Sequence, residues 1–235
     1  MNSHIITIDG PSASGKGTIA KLVAKQLNFN YLDSGLIYRA LAFLFIKHNI
    51  AIEDNMHINS SEIMLIIDKL PSILPINSLK YYNDSNNTNK DNIILLITTE
   101  FYGMKASILG KNSQIRAMLL PIQRLYEANN LVTDGRDMGS VVFPHAFLKI
   151  FLTASLEARS NRRFLQLQKS NPNLTLQDVV NDISNRDTQD ISRKHAPLIY
   201  NNDYYLLDNS HLNILQSVAQ IINWYNKKTH NLLLP

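Results

Sequence analysis

One segment near the start constrains the fold more than any other. An apolar, β-rich run, His4-Ile-Ile-Thr-Ile-Asp9, leads directly into Gly10, Pro11, Ser12, Ala13, Ser14, Gly15, Lys16, Gly17 and Thr18. Beyond the loop, Ile19, Leu22, Val23 and Leu27 recur at close to helical spacing. Strand, glycine-rich loop and helix in this order build an anion cradle. Glycines let the backbone turn its N–H groups inward, and the helix presents the positive end of its dipole. At this spacing Lys16 reaches the β- and γ-phosphates of a nucleotide, and a hydroxyl at the end of the loop orients a magnesium ion's shell. The strict pattern places Ser or Thr directly after the lysine. Here Gly17 takes that position and Thr18 follows.

The rest of the chain continues the alternation. Apolar strands are expected at Phe29–Leu32, Leu131–Asp134, Phe147–Leu152 and Tyr204–Leu207, with helices at Leu36–His48, from Ser155 through Gln168, from Thr175, and from Asn213 to about Trp224. Thr175/Asp178 has the spacing of a capping box, and Asn213/Gln216 marks the last helix start. Five strands alternating with helices read as a parallel five-stranded sheet flanked by helices on both faces, an α/β fold. Residues 60–100 depart from the alternation. Pro71 and Pro75 break one pattern, and Tyr82–Asn92 is Asn-rich and polar, so this stretch reads as a loop between short strands, an inserted subdomain. The whole, residues 1–235, is expected to be one domain carrying that insert at 60–100.

Composition narrows the function. The chain has no cysteine, which removes disulfides, thiolate metal sites and a cysteine nucleophile. Its apolar stretches are too short to span a bilayer and no secretory signal is visible, so the expectation is a cytoplasmic protein without a transmembrane helix. A net charge of +4 favours anionic partners.

Charged residues cluster in a few places. Ser34 follows the second strand as an expected helix N-cap, with Arg39 one turn on. Asp134, Gly135, Arg136 and Asp137 end a strand, and ligands of a parallel sheet gather at its carboxyl edge. Asp134 there is placed to hold a magnesium water shell, together with Thr18. Arg159, Arg162 and Arg163 share one helical stretch; Arg186, Asp190 and Arg193 line one face of the next, with Asp187 beside them. The histidines show no helical metal-ligand spacing, and no basic patch with interleaved aromatics marks a nucleic-acid binder.

Several segments together resemble the bacterial cytidylate kinases, which are nucleoside monophosphate kinases: Ile8–Ser12 running into Gly15–Thr18, Leu32–Arg39, Asp134–Gly139 with Val141–Pro144, Lys149–Leu152, and Arg186-Asp187 through Asp190 and Arg193 to Ala196-Pro197-Leu198. The resemblance implies a P-loop kinase fold, an acceptor-binding insert at 60–100, and an arginine-bearing lid at 155–195. It implies ATP and magnesium, CMP or dCMP as acceptor, and a monomer binding neither nucleic acid nor membrane. It implies that Ser34, Arg39 and Arg136 hold the acceptor phosphate, that Ser107, Arg116 and Asp137 face the cytosine, and that Arg186 and Asp190 contact the ribose. Arg193 would sit at the acceptor end, and Arg159 and Arg163 would close over ATP, making Lys16, Arg136, Arg159, Arg163 and Arg193 the catalytic set. Two departures stand out. Where the family carries Ile-Arg-Ser/Thr, this chain has Ile97-Thr98-Thr99, and Pro121 is expected to interrupt the helix after Arg116. The remaining alternatives are a P-loop kinase for another small acceptor and a non-catalytic nucleotide-binding protein.

Overall fold

β1 (Ile5–Asp9) is buried along its whole length, with even Thr7 and Asp9 fully covered. A strand of this kind belongs in the middle of a parallel sheet with both faces packed. In the computed structural model it pairs in parallel with β3 (Leu131–Gly135) on one side and β4 (Leu148–Thr153) on the other, and β4 pairs with β5 (Tyr205–Asp208). With β2 (Asn30–Asp33) the order is β2-β3-β1-β4-β5. All five strands fall within a residue or two of the segments expected from the sequence. The structure describes residues 3–54, 56, 58–74, 88–128, 130–169 and 171–233.

The chain divides into two units, residues 1–29 with 130–235, and residues 30–129. In the first, the register sets the site. Asp9 lies opposite Gly135 of β3 and Phe151 of β4. The loop leaving β1 and the turn leaving β3 therefore start from adjacent strands at the same carboxyl edge. Gly10 begins that loop against β4, where a Cβ would collide with the Leu152 carbonyl. Gly15, at φ 88°, supplies the left-handed turn from which α1 (Lys16–Leu27) begins. After β4 the chain continues into α8 (Leu156–Leu167) and α9 (Leu176–Ser192), and after β5 into α10 (Ile214–Leu233). Ser155 caps α8, and Thr175 and Asp178 close the expected capping box on α9. Asn213 and Gln216 exchange reciprocal hydrogen bonds of 2.9 Å at the start of α10, which runs well past Trp224.

The second unit is helical after β2: α2 (Ser34–Lys47), α3 (Ser60–Ile67), α4 (Leu70–Ile73), α5 (Thr88–Ile97), α6 (Glu100–Lys111) and α7 (Ser113–Arg124). This corrects the short strands expected on either side of the Tyr82–Asn92 loop. Ile63, Ile66, Ile67 and Leu70 are buried at i, i+3, i+4 and i+7, the period of a helix face. Pro71 does not break this pattern, because it falls in the first turn of α4, where its missing N–H has no partner to lose. Pro75 and most of the Asn-rich stretch lie outside the described residues. Pro121 corrects a second expectation, since α7 continues through it to Arg124. The third concerns Ser34. The cap of α2 is Asp33, whose carboxylate accepts from Leu36 N–H at 3.1 Å, and Ser34 is the first helical residue.

Candidate active site

In the first unit the phosphate loop folds around its own lysine. Lys16 Nζ donates to the Pro11 carbonyl at 2.6 Å and to Ser14 Oγ at 3.3 Å, and the side chain is buried. Burial, followed by the positive charge of Arg136, lowers its pKa to about 7, while Asp134, Asp190 and Asp9 pull the other way. Asn209, just after β5, donates to the Ser14 carbonyl at 3.0 Å and is itself held by Arg162. The sequence does not point to this brace, because an asparagine after a weak last strand carries no distinguishing pattern.

Ser12 collects the charged residues. Its hydroxyl accepts from Arg136 Nη2 at 3.0 Å and its carbonyl from Arg159 Nη1 at 2.9 Å, while its own N–H donates to Asp187 Oδ1 at 2.8 Å. Two ion pairs stand behind these contacts: Arg136 with Asp190 and Arg159 with Asp187, each at 2.5 Å. Asp187 and Asp190 are three residues apart on α9 and so share a face. Burial pulls the Arg136 pKa down, but Asp190 together with Asp187 and Asp134 outweighs it and the net shift is upward. At Asp190 burial raises the value and Arg136 reverses it, leaving the carboxylate below its ordinary range. Both groups stay charged. Arg193 approaches Asp190 at 3.5 Å and Asp137 at 3.8 Å, and donates to the Ala196 carbonyl.

Asp9 holds the turn that carries Arg136 and Asp137. Its carboxylate accepts from Met138 N–H at 2.8 Å, Gly139 N–H at 2.7 Å and Tyr204 Oη at 3.1 Å. Burial pushes its pKa up to about 6, against the pull of these hydrogen bonds. It was missed as a functional residue; the available signal was an acid ending an otherwise apolar central strand.

The structure thus brings together, in the first unit, the loop Gly10–Thr18, Asp134, Arg136, Asp137, Arg159, Asp190 and Arg193. Arg163 and Arg186 make more local contacts, with Gln166 at 3.3 Å and Asp182 at 3.0 Å. Ser34, Arg39, Ser107 and Arg116 belong to the second unit. There Arg39, on α2, donates to the Thr99 carbonyl at 2.7 Å and the Ile97 carbonyl at 3.2 Å. These are the residues that replace the family's Ile-Arg-Ser/Thr. Arg116, on α7, donates to the Gly110 carbonyl at 3.2 Å and lies over the Tyr38 ring. Ser34 is buried and Ser107 half-buried on α6.

Among the described residues no group of three or more His, Asp or Glu side chains could hold a metal ion. Magnesium keeps several waters and takes one or two carboxylates plus substrate phosphates. Thr18, exposed at the start of α1, and Asp134, buried at the end of β3, are of the right chemistry for its water shell.

A parallel sheet with a lysine-bearing phosphate loop at its carboxyl edge, faced by paired arginines, defines a P-loop kinase. The solved structure of an uncharacterized protein from Eubacterium ventriosum shares the fold, at a TM-score of 0.50 and 10% identity over 95% of this chain and 99% of that one. The family model described as cytidylate kinase matches residues 6–227. A cytidylate kinase of Polynucleobacter asymbioticus is 40% identical over 222 residues, covering 94% of this chain and 96% of the relative. One of Chromobacterium violaceum is 42% identical over 229 residues, covering 97% and 98%. The chain belongs to the cytidylate kinase family.

Proposed function

We propose that the chain transfers the γ-phosphoryl group of ATP to CMP, and also to dCMP, giving the nucleoside diphosphate and ADP. The observation that carries this is the convergence of Lys16, Arg136 and Arg159 on the phosphate loop, in a chain of this family. The reaction asks little covalent chemistry of the protein. The attacking oxygen belongs to a phosphate that is already ionised near neutral pH, so no general base is needed. What it requires is alignment and compensation of charge on the transferring group. Lys16 and the arginines supply that charge, and the low dielectric around buried Lys16 and Arg159 strengthens it. Thr18 and Asp134 would hold the water shell of magnesium, which would supply positive charge against the ATP phosphates.

For the acceptor, Arg136 with Ser34 and Arg39 would hold the phosphate. Asp137, Ser107 and Arg116 would face the base, Arg186 and Asp190 the ribose, and Arg193 the acceptor end. Arg163 would join Arg159 over ATP. Residues 60–100 would serve as the acceptor-binding insert and 155–195 as the lid. We assign a monomer working in the cytoplasm, apart from nucleic acid and membrane; no helix among the described residues is long and apolar enough to cross a bilayer.

Asp137 gives a reason to prefer cytosine. A carboxylate accepts from the exocyclic amino group, whereas uracil presents a carbonyl at that position. Such a contact is worth about 1–3 kcal/mol of discrimination. The test is ADP formation from ATP and magnesium with CMP, dCMP, UMP, AMP and GMP offered separately. The expected result is fast turnover with CMP and dCMP and a much lower kcat/KM with UMP. Asp137→Ala should narrow the CMP/UMP ratio by about 5- to 150-fold. Turnover confined to another acceptor would overturn the assignment.

A further inference from the structure

Asp187 has no part in the roles above, yet it touches both the phosphate loop and the arginine assigned to ATP. One carboxylate oxygen accepts from the N–H of Ser12 in the phosphate loop at 2.8 Å. The other accepts from Arg159 Nη1 at 2.5 Å. Arg159 is otherwise tied to backbone: its Nε donates to the Ala154 carbonyl at 3.0 Å and its Nη1 to the Ser12 carbonyl at 2.9 Å. Arginine, ion-pair carboxylate and Ser12 are all buried or nearly so, with the two paired side chains 8% and 14% exposed. Three segments distant in sequence meet here: the loop after β1, the first turn of α8 and the middle of α9.

A planar guanidinium presents its donors in a fixed fork, so three acceptors on different segments define its plane. Two of the three are carbonyls that come with the backbone. The third is the carboxylate, the strongest of the contacts because both partners are charged. We propose that Asp187 is a positioning residue that aims Arg159 across the phosphate loop before ATP arrives. Its grip on Ser12 N–H locks α9 to the loop and so sets the arginine's distance from the phosphates. This inference rests on the assignment of Arg159 to the ATP phosphates.

Removing the carboxylate while keeping its shape, Asp187→Asn, should lower kcat by about 10–100-fold, the scale of a misplaced catalytic group. The KM for CMP should change little. Arg159→Ala should lose a similar factor. Added guanidinium ion should restore part of the kcat of Arg159→Ala, and restore none in Arg159→Ala/Asp187→Asn, where nothing orients the free ion. The activity-independent readout is the Arg159 side-chain N–H resonances, expected to exchange slowly in the unaltered protein and fast in Asp187→Asn. Unchanged kcat and unchanged exchange in Asp187→Asn would overturn the proposal, as would guanidinium rescue of the double variant. Should Asp187→Asn not fold, Arg159→Lys tests the pair from its other member. A lysine cannot reach the carboxylate and both carbonyls from one plane, so kcat should drop by the same factor, and full activity would overturn the proposal. Failure of the CMP assignment would show differently, as absent CMP turnover in the unaltered protein with Arg159 exchange still dependent on Asp187.

Discussion

The two units differ in what surrounds the residues assigned to the site, although both bury apolar side chains. In the first, the centre of interest is polar: Lys16, Arg136, Arg159, Asp187 and Asp190 crowd around one serine, each held by charge or backbone. In the second, helices close over Ile63, Ile67, Leu70, Ile97, Leu109 and Ile115, all essentially without exposure. Buried charge is expensive unless fully paired, so the polar cluster contributes little net stability and much geometry. The apolar core contributes stability through area removed from water and is tolerant in detail. Damage to the polar cluster of the first unit should therefore appear in turnover, and damage to the apolar core of the second in folding.

The largest effect is expected at Lys16. Lys16→Ala removes a charge proposed to face the transferring group and should lower kcat by about 100- to 1000-fold, with the midpoint of thermal unfolding nearly unchanged. Relief of a buried ammonium opposes the loss of its two hydrogen bonds. Next is Leu109→Ala on α6. A buried leucine cut to alanine should cost about 2–5 kcal/mol in urea unfolding, with kcat per folded molecule held within about twofold. A collapse of kcat in the folded fraction would break the division between the units.

A smaller effect concerns pH. Lys16 in the empty protein titrates at about 7, so above that pH it has lost its proton. ATP phosphates favour the ammonium and draw the proton back. Binding should therefore take up to one proton at pH 8 and almost none at pH 6. ATP affinity should weaken by at most about tenfold per pH unit above 7. Calorimetric titration in buffers of different ionisation heat reads the proton directly, and equal uptake at both pH values would remove Lys16 as the cause. The smallest change is at Asn112, whose carboxamide accepts from Gln114 and Ile115 N–H at the start of α7. Asn112→Ala should cost about 1 kcal/mol of stability and leave the CMP/UMP ratio alone.

Most of the first unit was legible in the sequence because its chemistry demands particular residue types. A phosphate loop cannot be made without Gly10 and Gly15, and the arginine–aspartate spacing on α9 declares a common face. The central strands β1 and β3 were legible for a related reason, since a strand buried on both sides is mostly apolar. The second unit was read less well. Its helices at 60–74 and 88–97 carry an isoleucine-rich pattern that serves helix and strand alike over short spans, and the prolines looked like breaks. Whether a proline ends a helix depends on its place in the turn, which composition does not reveal.

The sequence by itself determined the α/β order, the phosphate loop, the identity of the charged residues and the family they belong to. The tertiary structure decided which of those charges share a partner. Asp187 with Arg159, Asp190 with Arg136 and Asp9 with the Met138–Gly139 turn are separated by 28, 54 and about 130 residues. Local spacing says which helix face a side chain occupies. Only the parallel register, which sets the ends of β1, β3 and β4 side by side, brings those faces and loops within hydrogen-bonding distance.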